Sequence, residues 1–309
     1  MSKAIQTMVE QISRVILGKD KEIRLALACF FARGHLLIED FPGIGKTTLA
    51  KTLARCMGLD FQRMQFTSDL LPGDILGVSV FDRNTSGFSF HPGPIFTQIF
   101  LVDEINRATP KSQSALLEAM EEGQVTIEGQ SRPLDTPFFV IATQNPLEQA
   151  GTFPLPESQM DRFLMRISLG YPDRKAEKRI LKGEGSDRVM SELTCCMEKN
   201  NVVKIQDEVE QVHTSDHFLE YLQNILEFTR TAPEFEIGLS PRAGLALLRA
   251  SKAWAYVMGR DYVIPEDLQE ILPWAAGHRL RFSRVLNHQP GDQIIDQLME
   301  LFSRVRIPV

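Results

Sequence analysis

The residues with the most evident chemistry lie in IEDFPGIGKTTLAKTLA, positions 38 to 54, which reads as a strand, a glycine-bearing turn and a helix. A helix that begins just after such a turn aims its unpaired N–H groups and its positive dipole end at an anion. Gly43 and Gly45 let the backbone curve around phosphates with no Cβ in the way. Lys46 is placed to reach the β- and γ-phosphates, and Thr47 to offer its hydroxyl to Mg²⁺. The pattern G-x-x-x-x-G-K-[ST] has a glycine where this chain has Asp40. That glycine relieves crowding and makes no obligatory contact, so a short acid is expected to turn its carboxylate away from the nucleotide. The candidate nucleotide segment runs from Asp40 through Phe41, Pro42, Gly43, Ile44, Gly45, Lys46 and Thr47 to Thr48.

Two further groups fit the same chemistry. IFLVDE is an apolar run ending in Asp103 and Glu104, at the carboxyl end of a strand where open α/β sheets collect their ligands. Asp103 suits Mg²⁺ held through water, and Glu104 suits the orientation or deprotonation of the attacking water. FFVIATQNP ends a buried strand in Gln144 and Asn145. An amide there can hydrogen-bond both the γ-phosphate and the water, although Asn145 before Pro146 also reads as a turn former.

These groups need a scaffold. Residues 1–34 read as two helices separated at Gly18. Strands are expected at HLLIED, LDFQRMQF, IFLVDE, PFFVIATQNP and LMRISL, with helices at KTTLAKTLARCMG, at ESQMDRF and after Thr109-Pro110, an N-cap followed by a first-turn proline. Asn84-Thr85-Ser86-Gly87 and the stretch QVTIEGQSRPL carry hairpin signals. Apolar strands alternating with helices predict a three-layer αβα domain with a central parallel sheet. Past Tyr171 the strands are expected to stop, with a polar, charged stretch near 183–215 and then helices alone. The division falls near 171–183, giving a core over 1–180 and a small all-α domain over 181–309.

Composition narrows the function. A hydrophobic content of 43% and a charged content of 24% suit a globular protein with a sizeable core. The net charge of −6 and the lack of a dense Lys/Arg run disfavour a partner gripped through nucleic-acid phosphates. The first twenty residues do not read as a signal peptide and no apolar run reaches membrane-span length, so the cytoplasm is the expected compartment. Cys29, Cys56, Cys195 and Cys196 show no C-x-x-C spacing and read as free thiols. His213 and His217 stand four apart, yet the intervening TSD lacks a metalloprotease glutamate, and a solvated helix start is expected there.

The ordered series GIGKTT, LVDEINRA, ATQNP, SQMDRF and LSPRA resembles the AAA+ ATPases, and within them the MoxR family, over essentially the whole chain. In that family the phosphate loop often begins with an acid. The resemblance implies a P-loop NTPase (AAA+) core with a helical lid, ATP and Mg²⁺ as cofactors, and a homo-oligomer in the form of a hexameric ring. It implies an arginine finger at Arg162, at the end of ESQMDRF, reaching the γ-phosphate of the neighbouring subunit, with Arg166 as the rival. It matches Arg242, in Ser240-Pro241-Arg242, to the arginine that couples the lid to the nucleotide. A cation in that first helical turn opposes the dipole and hints at a purpose beyond the helix. Arg107 is a candidate subunit-interface contact, and Gly18 in ILGKD is matched to the segment along the adenine.

The hairpins near 78–91 and 124–134 resemble inserts that face the central channel of related rings and touch a client, although Phe88 and Phe90 could instead pack beneath the first hairpin. The implied work is remodelling or maturation of a protein or metalloenzyme client, with von Willebrand factor A domain proteins as frequent partners in the family. A small-molecule kinase is the alternative on the loop alone, and a DNA-linked AAA+ motor is a third reading.

Overall fold

The computed structural model describes residues 3–83, 86–146, 151–184, 187–283 and 291–308. Helices α1 (Lys3–Val15) and α2 (Asp20–Phe31) lead into β1 (Leu36–Glu39), which runs through the glycine turn into α3 (Lys46–Met57). Next come β2 (Phe61–Gln65), α4 (Pro72–Leu76), the hairpin β3 (Gly77–Asp82) and β4 (Gly87–Pro92), and β5 (Ile99–Asp103). A 3₁₀ turn at Ile105–Arg107 precedes α5 (Pro110–Glu122), and the hairpin β6 (Gln124–Ile127) and β7 (Gln130–Pro133) precedes β8 (Phe139–Gln144). Short α6 (Glu157–Met160) leads to β9 (Met165–Ile167). Asn84 and Thr85 of the first hairpin signal lie outside the described residues.

Strand order is β2-β5-β8-β1-β9, all parallel. The pleat sends alternate residues to opposite faces. Leu36, Ile38, Ile99, Leu101, Phe139 and Ile141 pack with α1, α2 and α3, while Leu37, Phe100, Val102, Val140 and Ala142 pack with α5. Both faces are thereby covered, as a parallel sheet requires. Thr109 accepts from the Ser112 amide to cap α5, and Gly58 in left-handed conformation ends α3.

Beyond the sheet lie α7 (Arg174–Leu181), α8 (Asp187–Glu192), α9 (Lys199–Glu210), α10 (Asp216–Thr231), β10 (Phe235–Ile237), α11 (Pro241–Val257), α12 (Pro265–Ala276), β11 (Arg281–Phe282) and α13 (Gly291–Phe302). The expectation that strands end at Tyr171 is corrected here. β10 and β11 pair as an antiparallel ribbon in which Phe235 and Phe282 pack together. At three and two residues they are too short to show a period. The charged stretch also contains α9, which buries Val202, Ile205, Gln206 and Val209 beneath a polar outer face. The apolar core is continuous from α2 and the sheet into α9, α11 and α12.

In the first hairpin, Phe90 is half-buried against Phe96 and lies beneath the Arg132 guanidinium of the second hairpin, while Phe88 near the tip is 72% exposed and pairs with Phe81. His213 forms a backbone bridge with Tyr262 ahead of α10, so His213 and His217 do not share a helix.

Candidate active site

Parallel strands bring their carboxyl ends to one edge, and that edge gathers most of the predicted chemistry. β1 empties into the loop at Asp40, β5 into Glu104 and β8 into Asn145. Gly43 and Gly45 hold φ of 84° and 99°, the left-handed region that a side chain resists, and a Cβ built at either would meet nothing within 4 Å. The turn is therefore open on the side a ligand would fill. α3 starts with no side-chain cap, so its leading N–H groups point outward unclaimed by a side chain. Lys46 donates to the Asp40 carbonyl at 2.5 Å. Partial burial pulls its ammonium pKa down, while Asp40, Asp103 and Glu104 oppose that shift. Thr47 and Thr48 fill the first turn of α3, half-buried.

Asp40 is 3% exposed and is not idle. Its Oδ2 accepts from Ser168 Oγ at 3.0 Å, the Leu169 amide at 2.6 Å and the Gly170 amide at 2.7 Å, and Oδ1 accepts from the Phe41 amide at 2.9 Å. The acid ties the mouth of the loop to the chain leaving β9. Nearby, Phe41 stacks on Tyr171 with ring centroids 5.9 Å apart, and Lys19 donates to the Tyr171 carbonyl at 2.9 Å. Gly18 sits in the α1–α2 turn at φ 70°, where a Cβ would come within 3.0 Å of Ala176 Cβ. Loop mouth, α1–α2 turn and the start of α7 thus converge on one corner.

Asp103, 6% exposed, receives Arg63 Nε at 2.6 Å on Oδ2 and the Thr143 hydroxyl at 3.2 Å on Oδ1. Glu104 stands at φ 57°, an uncommon left-handed conformation for a non-glycine residue. Its Oε2 receives Gln65 Nε2 and Arg107 Nε, each at 2.7 Å, and its amide donates to Thr143 Oγ1 at 3.0 Å. Sequence reasoning missed Arg63, Gln65 and Thr143. The first two alternate along β2, which pairs with β5, and reach diagonally to Asp103 and Glu104 at the end of that strand, a signal visible only once the strand order is known. Arg107, expected at a subunit interface, is paired with Glu104 inside the chain. Gln144 donates to Glu39 Oε1 at 2.7 Å, and Asn145 follows it along that edge.

Arg162 and Arg242 lie elsewhere. Arg162 precedes β9, and just ahead of that strand the Leu164 amide donates to the carbonyl of His35, the residue before β1, so Arg162 occupies the amino-terminal edge of the sheet. β1 alone, four residues at ~3.3 Å each, puts ~13 Å between the two edges. α5 runs back to this far edge and delivers Glu121. The Glu121 carboxylate meets Arg162 Nη2 at 3.2 Å and Arg242 Nη2 at 2.9 Å. Arg242 Nε also lies 3.5 Å from Asp161 Oδ2. A cleft of about 170 Å³ is lined by these groups together with Arg249 and Arg279. Within one chain the groups separate, with Lys46, Glu104 and Asn145 at one edge of the sheet and Arg162 and Arg242 at the opposite edge. Arg166, the rival finger, pairs with Glu39 Oε2 at 3.0 Å within the sheet.

Comparison with known proteins agrees with this architecture. Residues 35–165 match the profile described as ATPase family associated with various cellular activities (AAA), and residues 227–298 match the AAA lid domain. The chain is 44% identical to the uncharacterised protein YeaC of Bacillus subtilis, over 97% of this chain and 94% of that one. It is 36% identical to the chaperone MoxR1 of Mycobacterium tuberculosis, over 89% of this chain and 75% of that one. A crystal structure of a Cytophaga hutchinsonii protein proposed to be an ATPase superposes with a TM-score of 0.89 at 36% identity, covering 99% of this chain and 95% of that one.

Proposed function

Because the chain belongs to the MoxR family of AAA+ ATPases and is an ATPase, we propose that it works as a ring whose hydrolysis sites are completed between copies. The separation of its chemistry between two edges of one sheet carries this reading. A guanidinium a strand's length from its own loop cannot serve the phosphates bound there, whereas the edge of a neighbouring copy can bring one to them.

In this reading Lys46 and the open N–H groups of α3 receive the β- and γ-phosphates, Glu104 orients the attacking water, and Asn145 hydrogen-bonds water and phosphate. Arg162 acts on the neighbour's terminal phosphate, a contribution worth roughly 10³–10⁵ in rate. The structure puts Arg242 beside Arg162, so it is assigned to the same neighbouring phosphate. Phe41, Tyr171 and the Gly18 turn form the corner assigned to the base.

The donor set suits Mg²⁺. Thr47 supplies a hydroxyl and Asp103 a buried carboxylate, and such an ion needs only one or two protein oxygens beside phosphate and water. Arg63, which holds one Asp103 oxygen, is half exposed and able to yield. Thr47 and Asp103 would hold the ion, which when bound neutralises charge on the phosphates.

The ring is read as a cytoplasmic hexamer acting on a protein or metalloenzyme client, of which a von Willebrand factor A domain protein is one type. Among the described residues no helix is long and apolar enough to cross a membrane. The exposed Val78, Val80, Phe81 and Phe88 on the first hairpin support a protein client. The test is ATP turnover per chain against protein concentration. It is expected to fall on dilution to monomer, and R162A is expected to bind ATP without hydrolysing it. A rate per chain that is constant on dilution would favour a kinase-like site complete within one chain and would overturn the ring.

A further inference from the structure

Glu121 has no part in the reading so far, yet it stands between the two arginines that reading depends on. It is the penultimate residue of α5, and the helix carries it to the sheet edge opposite the phosphate loop. Its two oxygens go to different partners, Oε2 to Arg162 and Oε1 to Arg242. Arg162 comes from the turn after α6 and Arg242 from the first turn of α11, so nothing in the local chain brings them together. Both are cations, Arg249 lies further along the same helix, and Arg279 lines the same cleft. Left alone these guanidiniums repel one another, and Arg242 in addition opposes the dipole of its own helix. Asp161 meets Arg242 at 3.5 Å and Arg279 at 2.6 Å, while Glu121 is the carboxylate that joins Arg242 to Arg162 and offsets the repulsion between those two.

The contacts engage Nη2 of each guanidinium. A guanidinium carries five N–H donors in a planar fork, so both arginines can keep Glu121 and still donate forward. We propose that Glu121 is a positioning residue that holds Arg162 and Arg242 together as one two-pronged donor for the terminal phosphate bound to the next copy. This rests on the reading that the two arginines act across the interface. The pairs are partly exposed, with side-chain exposures of 35% for Glu121, 28% for Arg162 and 56% for Arg242. Such pairs contribute little to folding, so the loss of Glu121 is expected to appear in turnover and not in stability.

The test uses the full chain. E121Q and E121A are expected to assemble as the wild type does and to keep its KM for ATP, with kcat lowered by about tenfold or more, a part of the full arginine-finger contribution. The discriminating measurement is complementation in mixed rings with E104Q. An E121Q chain keeps its own loop and Glu104, so its site regains activity when the adjoining E104Q chain supplies well-held arginines. Turnover of the mixture above the sum of its components supports the proposal. An R162A and E104Q mixture is the control for the underlying reading. If that control recovers and the E121Q mixture does not, the positioning role is overturned while the interface reading stands. If neither recovers, both fall. Wild-type or faster turnover by E121Q and E121A alone also overturns it.

Discussion

A carboxylate at the mouth of a phosphate loop would repel the ligand if its charge were not claimed elsewhere, and Asp40 has it claimed by four donors. Substituting the glycine of the general pattern is therefore expected to harm the protein. D40G leaves the Leu169 and Gly170 amides without their acceptor, and a buried orphaned donor costs about 1–3 kcal/mol. We expect D40G to lose about 3 kcal/mol of stability in urea unfolding and to bind ATP more weakly in a titration. Unchanged stability with tighter binding would show the clamp to be dispensable. At this scale the gathering of Lys46, Thr47, Asp103 and Glu104 at the strand ends was legible because they lie in two short contiguous stretches. The Asp40 clamp was not, since its partners lie some 130 residues along the chain.

Among the elements, β1 is fixed at its start by His35, which reaches α5 and β8 at once. Its Nδ1 accepts from the Val140 amide at 3.0 Å, so Nε2 must carry the proton it gives to the Met120 carbonyl at 3.1 Å. A second proton on the ring would face an N–H group. Burial is the main cause of a pKa lowered to about 4, Arg249 lowers it further, and the Met120 carbonyl opposes the shift. Between pH 6.5 and about 4 the unfolded chain binds this proton and the folded chain does not. Stability from His35 is thus full above pH 6.5 and is lost as pH falls through that window, by about 3 kcal/mol. His278, buried and shifted the same way, adds to the slope. Urea midpoints measured from pH 7 to 4.5 should fall less steeply for H35N than for the wild type, and equal slopes would remove His35 as the cause. Element boundaries set by caps, such as Thr109 and Ser240, were readable from sequence. The β10–β11 ribbon was not, because tertiary pairing of two short segments creates it.

For the whole molecule, Arg279 links the lid to the segment that carries Arg162. Only 5% exposed, it donates to Asp161 Oδ1 at 2.6 Å, to the carbonyls of Asp161, Phe163 and Leu164, and to Ala275. Removing it takes from Asp161 its shorter, buried ion pair and leaves the more distant Arg242, a loss of about 3 kcal/mol. R279A is expected to melt earlier and, at a temperature where it remains folded, to hydrolyse ATP more slowly than its ATP affinity would indicate. R279K should not restore the rate, because an ammonium cannot span the same fork of acceptors. A melting curve and a kcat measurement at one low temperature check both points.

The sequence by itself determined the phosphate loop, the acidic pair, the strand–helix alternation and the Thr109 and Ser240 helix caps, since each follows from residues close in the chain and from the period of apolar side chains. Only the tertiary structure decided that Arg162 and Arg242 share Glu121 on the edge opposite the loop, and that Arg63 and Gln65 engage Asp103 and Glu104. Those pairings depend on strand order and on the return path of α5, which packing of the two sheet faces selects. No local signal encodes them.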